Sequence, residues 1–287
     1  MPVLPIRKSA AAPSGFTDME KRRANLDQMS LPEKIEGFLI DIDGTLYDGD
    51  ALIPGAAAAF KALDAKAIPY RLVTNTTSKP LSAILAKLRS AGLDIAPERV
   101  FSAPVVARAY CLQKGFTRCY PLLKSSLLED LQGIEFVENA PQAVLVGDLG
   151  EELSYTALNR AFRFVLDGAA FVTLARNRYF HGRDGLCLDV GSIVAAIEYA
   201  TQREATLVGK PAAEFFLLAL QSMGIAPANA VMVGDDLEAD VGGGQNAALG
   251  GVLVRTGKFR PDQLEKTNVT PDSILDSIAD LSSLFVP

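Results

Sequence analysis

Histidine and tryptophan are almost missing from this sequence, and cysteine is scarce. The 287-residue chain has one histidine, His181, no tryptophan and three cysteines. A single histidine cannot build a zinc site that needs several imidazoles. A Ser-His-Asp hydrolase would carry a Gly-x-Ser-x-Gly turn around its nucleophile, and the sequence has none. The cysteines show no paired spacing, which favours reduced, apolar side chains in an intracellular protein.

Long hydrophobic runs and a basic surface are also lacking. No apolar run approaches the roughly 18 residues that a membrane-spanning helix needs, and the first residues contain no apolar core of a secretion signal. The formal net charge is −6, whereas a nucleic-acid-binding domain usually carries a basic face. We therefore expect a cytoplasmic protein without a membrane or nucleic-acid partner.

Alternating strand-like and helix-like segments make up most of the chain. Residues 37–42 and 70–73 are apolar runs typical of buried strands, and the helical segment 56–67 lies between them. Strands that alternate with helices at this spacing predict βαβ units and a parallel sheet. The sequence therefore predicts an α/β fold, preceded by a flexible amino-terminal extension over residues 1–30.

Two acidic strand ends lie far apart in the chain, at Asp41 and Asp235. For both to serve one site, the segment between them must contain an insertion that folds on its own. We predict a Rossmann-like parallel-sheet core over residues 31–102 and 206–287. A second α/β domain, an inserted cap, is expected over residues 103–205.

Asp41 and Asp43 follow the first apolar run directly, and Gly44 comes next. Buried carboxylates are costly unless a cation or hydrogen-bond donors compensate them. An aspartate can attack phosphorus and form an acyl-phosphate. A second carboxylate nearby can protonate the leaving oxygen and then activate water. The alternative is an ordinary Asp-Gly turn with solvated acids.

Thr74, Asn75 and Lys210 are candidate phosphate-binding residues. The first two end a predicted strand, where a hydroxyl and backbone N–H groups suit a phosphate oxygen, although such a run also fits a helix-capping turn. Lys210 stands between Gly209 and Pro211. A cation there would stabilise the charge that a phosphoryl transition state spreads over its oxygens; a surface lysine before a helix is the alternative.

Asp235, Asp236 and Asp240 follow another apolar run. Mg²⁺ prefers hard oxygen ligands and is usually held by one or two carboxylates plus a substrate phosphate. Asp41 and Asp235 are the expected pair, and Asp236 and Asp240 would support them or orient Lys210.

Two other functions remain open at this point. Gly242, Gly243 and Gly244 loosely fit the glycine fingerprint of dinucleotide-binding enzymes, but the run does not follow a strand directly. The fold could also serve a non-catalytic binding protein. A scaffold would have no need to keep Asp41, Asp43, Lys210 and Asp235 together.

Taken together, four islands of sequence resemble the motifs of the haloacid dehalogenase superfamily of phosphohydrolases. They are Asp41 to Thr45, Thr74 with Asn75, Lys210, and Gly234 to Asp236 with Asp240. The long segment between the second and third islands is similar to the cap of type IIA members, which is a separate α/β domain. The resemblance implies a Mg²⁺-dependent phosphoric monoester hydrolase that acts on a small phosphorylated metabolite.

The resemblance also implies a role for each matching residue. Asp41 would be the nucleophile that becomes phosphorylated, and Asp43 the general acid and base. The metal ligands would be the carboxylates of Asp41 and Asp235 and the backbone carbonyl of Asp43. Thr74 and Lys210 would bind phosphate, with Gly44, Asp236 and Asp240 in support. Pyrophosphate and P–N bonds are further candidate substrates, and we expect a homodimer through the cap.

One cap residue departs from the pattern of the family. Relatives tend to have a Leu-Gly-Pro-Gly-like turn where this chain has Leu188-Asp189-Val190-Gly191. An acid at Asp189 could repel an anionic substrate, recognise a cationic one, or simply cap the following helix. His181, Arg178 and Arg183 are additional candidates for contacts to the leaving group, against the default of an exposed loop.

Overall fold

The computed structural model describes residues 31–182 and 185–285, and for residues 181 and 182 it describes the backbone alone. The predicted amino-terminal extension, residues 1–30, lies outside the described residues. The described chain begins with strand β1 and alternates strands with helices, as the sequence predicts. Its first part contains β1 (Gly37–Asp41), β2 (Tyr47–Asp48), β3 (Ala51–Leu52), α1 (Ala56–Ala65), β4 (Tyr70–Thr74), α2 (Leu81–Ser90) and β5 (Val100–Ser102).

A second series of strands and helices comes next in the chain. It contains α3 (Ala103–Gln113), β6 (Arg118–Leu122), β7 (Glu135–Phe136), β8 (Ala143–Val146), α4 (Tyr155–Leu166), β9 (Ala170–Thr173), β10 (Tyr179–Gly182), β11 (Gly185–Leu188), α5 (Val190–Thr201) and β12 (Thr206–Leu207). The chain then continues with α6 (Ala213–Gln221), β13 (Ala230–Gly234), a π-helix (Leu237–Gly242), α7 (Gly243–Asn246), β14 (Gly250–Val254), α8 (Gln263–Lys266) and β15 (Ser273–Leu275). Short 3₁₀ helices lie at Pro97–Arg99, Ser125–Asp130, Gly150–Glu152, Pro227–Asn229 and Ile278–Leu284.

The strands form two parallel sheets, which confirms the predicted α/β fold with a second α/β unit. The first has six strands in the order β15-β14-β13-β1-β4-β5, and the second has five in the order β12-β9-β8-β6-β7. All neighbouring pairs in both sheets are parallel. Two antiparallel hairpins, β2–β3 and β10–β11, stand outside the sheets.

The position of β12 differs from the predicted domain boundary at residue 205. That boundary puts Thr206 and Leu207 in the core, whereas in the structure they pair with β9 of the second sheet. The apolar run there is too short to show from sequence which sheet it joins. The cap is therefore defined as residues 103–207, and the core as the rest of the described chain.

Strand β1 is buried along its whole length because helices cover both faces of the core sheet. Phe38 and Ile40 pack in one hydrophobic cluster with Phe60 of α1, while Leu39 packs in another with Phe216 of α6. Successive side chains of a strand point to opposite faces, so a parallel strand covered on both sides is a continuous apolar run. Each such side chain contributes roughly 1.5–3 kcal/mol when fully buried. Burial of this run therefore stabilises the strand, whose last residue is Asp41.

Side-chain contacts also join the core and the cap. The N–H of Leu81, at the start of α2, donates to Asp130 Oδ2 of the cap at 2.9 Å, and Ser82 Oγ donates to Glu129 Oε1 at 2.5 Å. Within the described residues, no helix combines the length and hydrophobicity that crossing a membrane requires.

Candidate active site

Three buried carboxylates meet where β1 and β13 end. The two strands are parallel neighbours in the core sheet. Asp41 is the last residue of β1, and Asp235 directly follows β13. Ligand oxygens of Asp41, Asp235 and Asp240 all lie within 4.8 Å of one another. Residues far apart in the chain are thus brought to the edge where open α/β sheets place their ligands.

The third carboxylate is positioned by the π-helix Leu237–Gly242 that follows β13. Asp236 caps this helix, because its Oδ1 accepts the N–H groups of Glu238 and Ala239 at 3.2 and 2.9 Å. The N–H of Asp236 in turn donates to Asp240 Oδ2 at 3.1 Å. Short π-helical turns are rare and concentrate at functional sites. Here the turn directs Asp240 back toward the end of β13.

Lys210 bridges two of the three acids. Its Nζ donates to Asp41 Oδ1 at 2.5 Å and to Asp240 Oδ1 at 2.6 Å, and all three side chains are buried. Burial alone would lower the pKa of Lys210, but the carboxylates of Asp240 and Asp41 outweigh it and raise that pKa. The lysine is therefore a permanent positive charge next to Asp41.

One lysine does not balance three buried acids. Burial, and then the neighbouring charges of Asp240 and Asp235, raise the pKa of Asp41 even though Lys210 opposes them. Burial and Asp240 also raise the pKa of Asp235 to about 6. The raised pKa values indicate that the described lysines do not fully offset burial and mutual repulsion of these carboxylates. The cluster therefore carries uncompensated negative charge that a divalent ion would neutralise.

The backbone around Asp235 supports that interpretation. A Cβ added at Gly44 would lie 2.0 Å from Asp235 Oδ2, and one added at Gly257 would lie 2.1 Å from it. The N–H of Lys258 donates to the same oxygen at 2.7 Å. Two loops thus close against this carboxylate and fix its orientation. Hard oxygen donors held rigidly in this way are the ligands that Mg²⁺ prefers, so the residues present fit the predicted metal.

Asp43 stands apart from this cluster and is exposed at the cleft. Its Oδ2 accepts hydrogen bonds from Thr76 Oγ1 at 3.0 Å and from Thr74 Oγ1 at 3.5 Å. An exposed carboxylate beside a buried one suits proton transfer to and from a leaving group. Its predicted role as a metal ligand, through the backbone carbonyl, stays a prediction.

The side chain of Asn75 hydrogen-bonds to the backbone of Lys210. Its amide nitrogen donates to the carbonyl of Lys210 at 2.8 Å, and its Oδ1 accepts the N–H of Lys210 at 2.7 Å. The two bonds hold the backbone that carries the lysine. A contact from Asn75 to phosphate would have to come from its backbone N–H, and this role stays a prediction.

Two polar residues of the site were not singled out from sequence. Lys258 Nζ donates to Asp236 Oδ2 at 2.9 Å, in addition to the backbone bond to Asp235. Thr76 holds Asp43 in the way just described. The available signals were the position of Lys258 shortly after β14, which neighbours β13, and the run of hydroxyl residues from Thr74 to Ser78.

The cap contributes the other wall of the cleft, whose volume is about 370 Å³. Its lining residues from the cap are Lys124, Asp148, Asn177, Phe180 and Asp189. Asp189 has an extended backbone, and its Oδ1 accepts the N–H of Val190 at 2.7 Å, so it does cap α5. The side chain of His181, and Arg183 entirely, lie outside the described residues, and Arg178 is not among the lining residues.

The glycine run considered for a dinucleotide does not line this cleft. Added Cβ atoms would lie 2.9 Å from Val269 at Gly242, 2.9 Å from the Phe216 ring at Gly243, and 2.8 Å from Met232 at Gly244. The glycines are buried and permit close packing under the sheet. No lining residue of the cleft comes from this run.

Comparison with known proteins agrees with this site. A model of the haloacid dehalogenase-like hydrolases matches residues 38–137, and a second, HAD-hydrolase-like model matches residues 207–281. The chain is 40% identical over 243 residues to haloacid dehalogenase-like hydrolase domain-containing protein 2 of Homo sapiens, covering 85% of this chain and 93% of that protein.

The chain belongs to the haloacid dehalogenase-like hydrolase family.

Other relatives of this hydrolase bear names that specify phosphatases. The chain is 38% identical over 253 residues to the phospholysine phosphohistidine inorganic pyrophosphate phosphatase of Danio rerio, and the match covers 86% of this chain and 93% of that protein. The crystal structure of 4-nitrophenylphosphatase from Thermotoga maritima aligns with a TM-score of 0.81 and 29% identity, covering 87% and 97% of the two chains. The recognition made from the four sequence islands is thereby confirmed.

Proposed function

We propose that this hydrolase is a Mg²⁺-dependent phosphatase that acts on a small phosphorylated compound through a phospho-Asp41 intermediate. The observation that carries the proposal is the convergence of Asp41 with Lys210 and with Asp235 and Asp240 at one strand end. The printed names of the relatives from Danio rerio and Thermotoga maritima support the phosphatase class.

The first displacement transfers the phosphoryl group to the protein. An oxygen of Asp41 forms a bond to phosphorus while the bond to the leaving oxygen breaks, and Asp43 gives that oxygen its proton. Lys210, fixed beside Asp41, and the hydroxyl of Thr74 stabilise the negative charge on the phosphoryl oxygens. The second displacement reverses the roles: Asp43 takes a proton from water, the water oxygen bonds to phosphorus, and Asp41 leaves.

Asp41 and Asp235 would hold the divalent ion, with Asp240 and Asp236 behind them. A bound Mg²⁺ supplies charge neutralisation at the phosphoryl oxygens and orients them for in-line displacement. Closure of the cap over the cleft would exclude water from the first displacement. Phosphoric monoesters are the proposed substrates; pyrophosphate and P–N bonds are narrower candidates, supported by the name of the Danio rerio relative.

The proposal extends to location and assembly. We propose that the enzyme acts in the cytoplasm and pairs as a homodimer through the cap. Three apolar side chains of the β10–β11 hairpin, Tyr179, Leu186 and Leu188, are 58%, 63% and 80% exposed and could form such a contact. Tyr179 pairs directly with Leu188 across the hairpin, so both lie on one face of it.

Release of 4-nitrophenol from 4-nitrophenyl phosphate tests the proposal. With Mg²⁺ present, we expect Asp41→Asn to lower kcat by about 10³-fold or more, because the nucleophile is lost. EDTA should stop turnover of the wild type, and added Mg²⁺ should restore it. Asp94→Asn is a matched control, since its carboxylate is exposed and lies away from the cleft.

A covalent intermediate provides the second readout. Phosphoenzyme that forms on the wild type and is cleaved by hydroxylamine, as acyl-phosphates are, should be absent from Asp41→Asn. Turnover by Asp41→Asn within tenfold of the wild type, or an EDTA-resistant rate, would contradict the proposal.

A further inference from the structure

The cap wall of the cleft carries charge whose purpose the proposed chemistry does not explain. Lys124 follows β6 and Asp148 follows β8, which are neighbouring parallel strands of the cap sheet. Both side chains therefore lie at the carboxyl edge of their sheet, as the catalytic acids do in the core. Asp189 reaches the same wall from the start of α5.

Lys124 and Asp148 neutralise each other. Lys124 Nζ lies 2.6 Å from Asp148 Oδ2, and Asp148 Oδ1 accepts the N–H of Gly150 at 2.8 Å. The backbones are joined as well, because the N–H of Lys124 donates to the carbonyl of Asp148 at 3.0 Å. Both oxygens of Asp148 are thus used, and the ammonium of Lys124 is balanced by a carboxylate on a side chain that is only 13% exposed. An anionic group of a substrate would find little net positive charge here.

Asp189 is balanced by no such partner among the described side chains. No lysine or arginine that the structure describes comes within 4.0 Å of its carboxylate. The one described hydrogen bond of this carboxylate comes from the N–H of Val190. It fixes the direction of the carboxylate without cancelling its charge. Together with the neutral pair, Asp189 gives the described side chains of the cap wall a net negative charge. Phe180 lines the same space and is 42% exposed.

The cleft as a whole has the same sign. Among the described residues, seven aspartates and three lysines line it, so a divalent ion would leave this described lining negative even before a phosphate dianion binds. A cleft lined by charge of one sign attracts ligands of the opposite sign and disfavours those of the same sign. The phosphoryl group meets Lys210 and the ion on the core side. The leaving group is the part of the substrate that meets the acidic cap.

We propose that the preferred substrate has a positively charged leaving group, an alcohol that carries an ammonium or substituted ammonium, and that Asp189 is the cap residue that selects it. The inference rests on the proposed phosphatase function and specifies its substrate class. A cation within reach of Asp189 gains Coulomb attraction, and the face of Phe180 offers a second favourable contact for it. Leaving groups with a carboxylate or a second phosphate are disfavoured, which counts against pyrophosphate among the candidate substrates.

A series of three alkyl phosphates of equal length tests this inference. 3-Aminopropyl, 3-hydroxypropyl and 2-carboxyethyl phosphate present a positive, a neutral and a negative leaving group to the Mg²⁺-loaded, full-length protein. We expect kcat/KM to fall in that order, with the amine favoured over the neutral ester by at least tenfold at low ionic strength. The preference should shrink as salt is added, because salt screens charges at partly exposed sites.

Asp189→Asn identifies the responsible residue. Asparagine caps helices as well as aspartate does, so the variant should fold, and its rate on the neutral ester serves as the reference for its rate on the amine. Its preference for the amine should fall to near one, chiefly through KM, because the contact is made before the chemical step. Asp167→Asn is the control: this carboxylate lies at the end of α4, is exposed, and does not line the cleft. It should keep the wild-type preference.

The outcomes separate this inference from the proposed function. If 4-nitrophenyl phosphate is hydrolysed but the amine is not preferred over the neutral ester, the inference is wrong and the phosphatase proposal stands. An amine preference that Asp189→Asn retains also overturns the inference, because the selecting residue would lie elsewhere. If no phosphate ester is hydrolysed in the presence of Mg²⁺, the phosphatase proposal fails and this inference fails with it.

Discussion

Core and cap each place a lysine–aspartate ion pair at the cleft, but the two pairs differ in burial. The members of each pair lie at or just after the carboxyl ends of parallel strands. In the core, Lys210 and Asp41 have side chains that are 3% and 7% exposed. In the cap, Lys124 and Asp148 are 26% and 13% exposed. The same pair of residue types is therefore buried where bonds would break and partly solvated where a leaving group would be recognised.

This difference in exposure indicates how strongly each pair responds to the loss of one partner. A buried lysine between two carboxylates is fully desolvated, so removal of one partner leaves uncompensated charge. In a partly solvated pair, water can replace part of what a lost partner supplied. The core site should therefore tolerate almost no change, whereas the cap wall can change its charge without loss of the fold. Three experiments, with five substitutions in all, test these expectations.

The largest effect is expected from a matched pair of lysine substitutions. Lys210→Met should lower kcat by about 10³-fold or more and destabilise the metal-free fold by about 3–5 kcal/mol, because Asp41 and Asp240 lose their cation. Lys124→Met should cost no more than about 1 kcal/mol and leave the rate on a neutral ester within tenfold. Urea unfolding and 4-nitrophenyl phosphate assays measure both quantities. Equal losses for the two variants would show that burial does not separate the two pairs.

A second pair of substitutions tests the close approach of backbone to Asp235. Gly44→Ala should lower activity by about 10²-fold, because its Cβ would lie 2.0 Å from Asp235 Oδ2 and so move that carboxylate. Gly49 is the control: its φ is also positive, at 61°, but nothing lies within 4 Å of an added Cβ. Gly49→Ala should therefore show only backbone strain, about 1 kcal/mol of stability, with activity unchanged. If both variants lose activity alike, strain rather than the contact with Asp235 is responsible.

The smallest effect concerns pH and stability without metal. Burial and Asp240 raise the pKa of Asp235 from 3.8 to about 6, so the folded protein holds this proton more tightly than the unfolded chain does. Its contribution to stability is complete below the unfolded pKa and is lost as pH rises through about 6. In EDTA, raising the pH from 5 to 8 should cost about 1 kcal/mol through this group.

Asp235→Asn should remove that dependence on pH and also the stabilisation by Mg²⁺. Thermal unfolding of both proteins across this pH range, with EDTA and with Mg²⁺, provides the measurement. A metal-free wild type that becomes more stable than Asp235→Asn as the pH rises would show that the charge of Asp235 is already compensated.

The periodicity of the chain was enough to predict the core sheet. β1 and β13 are short apolar runs that end in aspartates, and that pattern survives because strands buried on both faces must be apolar throughout. The predicted boundary at residue 205 was less accurate, since Thr206 and Leu207 pair with β9 of the cap. A strand of two residues carries no pattern that assigns it to one sheet rather than another.

Side-chain partners were harder to predict than positions. The expected contact of Asn75 with phosphate stays a prediction, and the bonds from its side chain to the backbone of Lys210 were not foreseen. Lys258 and Thr76 were not singled out, although they hold Asp236 and Asp43. Hydrogen bonds depend on distances of a few tenths of an ångström between loops that are distant in sequence, and residue types alone do not encode them.

The sequence by itself determined which elements form and which acids stand at their ends, because burial of apolar runs and the twofold period of strands are local properties. Only the tertiary structure decided which charges are neutralised and which remain. It brings Asp41, Asp235 and Asp240 together and places Lys210 between Asp41 and Asp240. It also pairs Asp148 with Lys124 and gives Asp189 no cation among the described side chains. The physical reason is that electrostatic energy depends on separation and solvent exposure, and both are set by packing between segments far apart in the chain.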